Sequence, residues 1–270
     1  MIVFSNCKIN IGLYITQKRA DGYHNLETVF LPLPLFDVIE LMEADTTTVS
    51  VLGQSVPGNS EDNIILKAWR LLKKDFPALP AVHFYLLKNI PVGAGLGAGS
   101  ANGAYALIAL NNKFHLNLST DQLSSYALQL GSDCPFFIKN KASFASGRGE
   151  LFEEVSPDLS GYKIIIVNPG IHMSTPLAFS QVQPQPAPVN LKEAVSRPVI
   201  AWNNLVTNDF EEPVTKKYPE IGTIKQSLYD MGADFALMSG SGSTVYGLFK
   251  KDTDMMHHFP DNYFVKMLDL

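Results

Sequence analysis

The sequence places several chemically able groups at telling spacings. Lys8 and Asn10 stand two apart in a run, residues 7–16, that alternates apolar and polar. Such spacing on a strand puts both side chains on one face, while Cys7, Ile9, Ile11, Leu13 and Ile15 turn to the other, the core side. Asp133, in Gly131-Ser132-Asp133-Cys134-Pro135, can accept a proton or cap a helix that has Pro in its first turn. Tyr23 and His24 follow an Asp21-Gly22 turn and offer a stacking face and a hydrogen-bonding ring. Ser239-Gly240-Ser241-Gly242-Ser243 reads as a loop between strands. Singly, each has a plain alternative: a solvated lysine, a cap, a surface loop, a hairpin turn.

The glycine-rich stretch Pro91-Val92-Gly93-Ala94-Gly95-Leu96-Gly97-Ala98-Gly99-Ser100-Ala101 lies between an expected strand ending at Pro91 and an expected helix over 101–113. Glycine permits positive φ and close backbone approach to a ligand. The helix that follows presents unpaired N–H groups and the positive end of its dipole. Together they suit the phosphates of a nucleotide. A Walker loop is excluded, because no Lys-Ser or Lys-Thr follows the last glycine. Gly93-x-Gly95-x-x-Ala98 meets a relaxed dinucleotide fingerprint. The first acid downstream, Asp121, however, falls in a helix start rather than at the end of a second strand. A tight packing turn is the third reading, although glycine at every other position exceeds what a turn needs. The segment also lacks charge throughout residues 89–112, yet its glycines, Pro91, Ser100 and Asn102 exclude a membrane span.

These groups need a scaffold, and 270 residues can bury a sizeable core in one large domain or two lobes. Strands are expected near 24–31, 36–43 and 47–52, at 82–86, 162–167, 235–238 and 244–249. Helices are expected from a Ser60 cap through Ile65, Ala68, Trp69 and Leu72, from Ser119 or Thr120, and within 191–232. Mixed order of strands and helices indicates an α+β fold of two lobes. The Pro/Gln-rich residues 181–190 are expected to form a connection. Lys plus Arg number 21 and Asp plus Glu 26, giving a net charge of −5 and no basic stripe for nucleic acid. Two distant cysteines and no signal-peptide core point to the cytoplasm and away from membranes.

Three blocks then resemble the GHMP small-molecule kinases: Lys8-Ile-Asn-Ile-Gly-Leu-Tyr-Ile-Thr-Gln-Lys-Arg-Ala-Asp-Gly-Tyr-His-Asn-Leu-Glu-Thr-Val-Phe30, the stretch 91–104, and Ser239-Gly-Ser-Gly-Ser-Thr-Val-Tyr-Gly247. Leu130-Gly-Ser-Asp-Cys-Pro135 is a fourth point of likeness. Arg19-x-Asp21-Gly22-Tyr23-His24 is similar to the branch acting on a cytidine-diphosphate-linked methylerythritol. The resemblance implies a nucleotide lobe over 1–155, a second α/β lobe over 156–270, and an active site in the cleft between them. It implies transfer of the γ-phosphoryl group of ATP, with Mg²⁺ arriving on ATP, to a small-molecule hydroxyl. It makes Lys8 and Asp133 the catalytic pair, puts Asn10 beside them, and gives Tyr23, His24 and Phe179 to the cytidine end. Residues 91–101 then hold ATP, and Asn63 and Lys88 occupy positions that can meet adenine. Ala94, Ala98 and Ala101 depart from a more glycine- and serine-rich loop; Ala98 puts a Cβ where backbone meets phosphate, and no metal ligand is assigned. Another small alcohol, such as mevalonate or homoserine, and a non-catalytic nucleotide binder on the same scaffold are the rival readings.

Overall fold

The alternation over 7–16 forms a strand, and it continues well beyond that window. In a computed structural model describing residues 1–173, 175–254 and 259–270, the chain runs β1 (Ile2–Lys18), β2 (His24–Glu43), β3 (Thr48–Gly53), α1 (Ile64–Asp75), β4 (Val82–Lys88) and α2 (Ala98–Lys113). It continues through α3 (Thr120–Leu130), α4 (Cys134–Lys139), β5 (Ser143–Ser146), β6 (Leu151–Glu154), β7 (Tyr162–Asn168), α5 (Thr175–Ser180) and α6 (Leu191–Val195). Last come α7 (Glu211–Lys217), α8 (Pro219–Asp230), β8 (Phe235–Met238), β9 (Val245–Lys250) and β10 (Phe264–Asp269). The α+β expectation holds, with local corrections.

Residues 24–43 are one strand rather than two. Its prolines, Pro32 and Pro34, fall between the ladder to β5 at Thr28–Phe30 and the ladder to β4 at Val38–Glu43, where neither needs their N–H. Ser60 does not cap α1; Asn63 does, accepting from the Ile65 N–H at 3.0 Å. Ser119 does cap α3, in a capping box with Gln122. The helix expected from 101 begins at Ala98, inside the glycine stretch.

Contacts divide the chain into two interleaved units, a description different from a single boundary at 155/156. The first comprises Met1–Cys7, Pro34–Val92 and Gly97–Lys141. In it β3 and β4 run parallel, joined through α1, and β4 pairs antiparallel with β2. The inward residues Ile39, Leu41, Phe84 and Leu86 pack on Ile65, Ala68 and Leu72 of α1 and Leu107 and Leu110 of α2.

The second unit comprises Lys8–Leu33, Gly93–Leu96 and Ala142–Leu270. Its antiparallel sheet has the order β10-β7-β9-β8. Ile165, Val167, Ala236 and Val245 pack against Val214 of α7, Ile221, Ile224 and Leu228 of α8, and Leu13 and Ile15 of β1. Leu13 exchanges backbone hydrogen bonds with Thr207 and Asp209, both at 2.9 Å, so β1 is gripped on its open edge. That grip needs Gly12, whose φ is +73° and whose added Cβ would lie 2.7 Å from Leu191 Cδ2. Gly12→Ala should cost about 1–3 kcal/mol, seen by calorimetry as a fall in Tm of roughly 2–10 °C.

Candidate active site

A lone strand lysine is usually solvated, but Lys8 is 3% exposed and Asn10 2%. Both faces of β1 are therefore buried here, and the polar face is built as a network. Lys8 Nζ donates to Asn10 Oδ1 at 2.6 Å and to the Gly95 carbonyl at 3.3 Å, and lies 4.8 Å from the centre of the Phe30 ring. Asn10 Nδ2 donates to Thr28 Oγ1 at 2.9 Å, and the Asn10 N–H donates to Ser239 Oγ at 3.1 Å. The amide oxygen of Asn10 thus faces the ammonium because its NH₂ end is held by Thr28.

The same network seats the glycine loop. The Ala94 carbonyl accepts from the Thr244 N–H at 3.2 Å, and the Leu96 carbonyl from the Lys8 N–H at 3.0 Å. Ser239 Oγ donates to the Gly95 carbonyl at 2.9 Å, alongside the Lys8 ammonium. In a trans peptide the carbonyl and the following N–H point oppositely. With these carbonyls turned into the protein, the N–H groups of Gly95, Leu96 and Gly97 turn the other way. Helix α2 follows from Gly97, which as N-cap supplies no side-chain bond to the first turn.

Exposure alternates along the loop: Ala94, Leu96 and Ala98 are buried, whereas Gly93, Gly95, Gly97 and Gly99 are not. The open face is therefore bare backbone. Ala98, read from sequence as putting a Cβ toward phosphate, is 4% exposed and points into the core, as does Ala101 at 0%. Packing explains Gly95, whose Cβ would sit 2.0 Å from the Ser239 carbonyl oxygen, but not Gly99, where a Cβ meets nothing within 4 Å. A bare surface at Gly99 suits a ligand, and a packing turn has no use for it.

Asp133 belongs to the first unit and occupies the N-cap position of α4, yet its side chain makes no capping bond. The carboxylate is thus not taken up by the role that the sequence alone offered as the alternative. Cys134 beside it hydrogen-bonds the Ser100 side chain, linking the loop's helical end to Asp133's turn, and burial pushes the thiol up to about 12. Of the two adenine candidates, Asn63 is occupied as the α1 cap, and Lys88 is 2% exposed with its ammonium on Asp37 at 2.5 Å. Burial draws the Lys88 ammonium below its ordinary range despite that partner.

At the expected cytidine end, His24 stacks on Phe179 with ring centres 5.2 Å apart at 21°, and Phe179 meets buried Phe210 edge-on at 4.9 Å. Tyr23 is 58% exposed and carries the Arg148 guanidinium 5.1 Å from its ring centre. Arg148 escaped the sequence reading, as did Thr28 and His172, whose Nδ1 would be 3.0 Å from a Cβ on Gly93. A Gly-Arg-Gly-Glu turn gives no local sign of an aromatic partner more than a hundred residues earlier.

The model for the GHMP kinases N terminal domain matches residues 63–141, and that for the GHMP kinases C terminal matches residues 191–255. These matches, with the fold, define a small-molecule kinase. The 4-diphosphocytidyl-2-C-methyl-D-erythritol kinase of Bacteroides fragilis (strain YCH46) is 51% identical, over 93% of each chain, and that of Cytophaga hutchinsonii 41%, over 97% of each. A crystal structure of 4-(cytidine 5'-diphospho)-2C-methyl-D-erythritol kinase superposes with a TM-score of 0.77 at 27% identity, covering 100% of this chain and 99% of that one. Mevalonate kinase of Methanococcus jannaschii shares the fold, with a TM-score of 0.70 at 15% identity over 100% and 98% of the two chains. Within the GHMP kinases, this chain belongs to the 4-diphosphocytidyl-2-C-methyl-D-erythritol kinase family.

Two outcomes follow from the geometry. Gly99→Ala should keep or raise Tm, since helix propensity improves, while raising KM for ATP about tenfold, equivalent to about 1.4 kcal/mol. Alkylation of the native protein at pH 8 should leave Cys134 unmodified, because its thiol is buried and titrates near 12; mass spectrometry after denaturation should show the site freed.

Proposed function

We propose that this kinase transfers the γ-phosphoryl group of ATP to the 2-hydroxyl of 4-diphosphocytidyl-2-C-methyl-D-erythritol, a step of isoprenoid precursor synthesis by the non-mevalonate route. The observation that carries the nucleotide half of this reading is the bare, side-chain-free face of the glycine loop beside the buried Lys8 ammonium. Phosphoryl transfer asks mainly for positioning and charge stabilisation. Residues 91–101 offer outward N–H groups and a helix N-terminus to the phosphates. In this division of labour residues 1–155 hold ATP, through 91–101, and also carry Tyr23, His24 and Asp133 for the acceptor. Mg²⁺ enters with ATP as part of the substrate; among the described residues no three His, Cys, Asp or Glu side chains converge as a metal site.

Asp133 is the base. As the substrate hydroxyl oxygen bonds to the γ-phosphorus, the bond to the β,γ-bridging oxygen breaks, ADP leaves, and the hydroxyl proton passes to the carboxylate. Lys8 supplies positive charge to the transferred group, held in direction by Asn10. His24 and Phe179 form the stacking surface for the pyrimidine, with Tyr23 as a second exposed ring. Two cysteines, both buried and outside any disulfide, suit a reducing cytoplasm.

Asp133→Asn should lower kcat about 10²–10⁴-fold with KM for ATP little changed; wild-type turnover would remove Asp133 from the mechanism. His24→Ala should raise KM for the cytidylyl substrate and not for ATP. Transfer assays on purified protein decide the acceptor: product from mevalonate or homoserine, with none from the cytidylyl substrate, would overturn the assignment.

A further inference from the structure

Asp37 lies on β2 with no exposed surface. Its Oδ2 accepts from Lys88 Nζ at 2.5 Å and from Asn102 Nδ2 at 3.0 Å, and its Oδ1 from the N–H groups of Asn89 at 2.8 Å and Ile90 at 2.9 Å. All five residues belong to the first unit. A carboxylate offers about four lone-pair sites, so this one is saturated.

An ion pair explains only the bond to Lys88, and a buried pair by itself adds little net stability over apolar packing. The other bonds have a common destination. Asn89 and Ile90 are the residues immediately before Pro91, where the glycine loop begins. Asn102 follows Ala101, where the loop ends, and its Nδ2 also reaches Ser5 Oγ at 3.1 Å. One carboxylate therefore holds the chain entering the loop and the helix leaving it. Neither end could shift without breaking a bond to a fully desolvated charge, which is far costlier than breaking one at the surface.

The geometry points to Asp37 as a positioning residue for ATP: by tying Asn89, Ile90 and Asn102 to one point, it sets the spacing of the loop's two ends and so the aim of the amides between them. This rests on the reading of residues 91–101 as the phosphate site. Asp37 touches no reacting atom; it acts through the loop.

The test measures ADP affinity by calorimetry, together with KM for ATP and for the cytidylyl acceptor, on the full chain. Asn102→Ala removes the exit tie while leaving the Asp37–Lys88 pair intact. The double variant Asp37→Asn/Lys88→Met removes both charges at nearly constant shape. Leu72→Ala, in the same unit's core, controls for lost stability. Asn102→Ala should weaken ADP binding about tenfold, the scale of a hydrogen bond to a charged group, and the double variant more. KM for the acceptor should move less than about twofold, and the Leu72→Ala control should keep ADP affinity at a comparable or lower Tm. Wild-type affinity in Asn102→Ala, or an equal loss in the control, overturns the proposal. If Gly99→Ala weakens ADP but Asn102→Ala does not, only the positioning role fails; if neither does, the phosphate reading fails with it.

Discussion

In the proposed reading, a chain of net charge −5 holds a polyphosphate largely through its backbone, and backbone attracts anions only when its carbonyls face elsewhere. That constraint governs the loop. Three consecutive carbonyls, at Ala94, Gly95 and Leu96, are engaged by Thr244, Ser239 and Lys8. The buried methyl and isobutyl groups of Ala94, Leu96 and Ala98 fix the same orientation from the opposite side. Much of the second unit's polar interior then reads as support: Asn168 Nδ2 donates to Ser243 Oγ and Thr244 Oγ1, and Asn208 Nδ2 to the Met238 and Gly240 carbonyls. Buried amides of this kind are stabilising only when fully bonded, and they specify one conformation of the loop that carries Ser239.

Lys8 shows what such a site costs locally. An ammonium nearly removed from water loses hydration worth several kcal/mol, which the Asn10 amide oxygen, the Gly95 carbonyl and the Phe30 ring face help to replace. A positive charge held this way interacts with an incoming anion more strongly than a solvated lysine would. The strand geometry that brings Asn10 to it is rigid, which suits the directed charge proposed for Lys8.

The sequence made some of this plain and hid the rest for identifiable reasons. Two-residue spacing put Lys8 and Asn10 on one face, and alternate glycines marked the loop, because both are local periodicities. That the Lys8 face is buried was not legible, since its covering groups, Thr28 and Ser239, come from distant segments. Ala98 was read as facing phosphate because the side of a loop that turns inward depends on where its carbonyls are held. Composition alone would bury Phe36 and expose Asp37; yet Phe36 is 37% exposed and Asp37 fully buried. A clue was present: Asp37 continues the inward series Leu35, Ile39 and Leu41 at strand spacing, where a charged residue needs an internal partner. The joined β2 was missed because its prolines look like breaks unless the ladders to β4 and β5 are known to stop short of them.

The interleaving of the two units has a consequence for how the protein comes into being. The second unit's first strand emerges at the start of synthesis, but Asn10 of that strand waits for Ser239 to satisfy its N–H and for Tyr246, whose hydroxyl donates to the Asn10 carbonyl at 3.0 Å. The residues of the first unit are all present once Lys141 has been made; the partners of Asn10 are not present until almost the entire chain is available. A chain ending before these residues would leave Asn10 without both partners. The polar interior around Asn10 is therefore among the last parts of the molecule to close, although its first strand is among the first to be made.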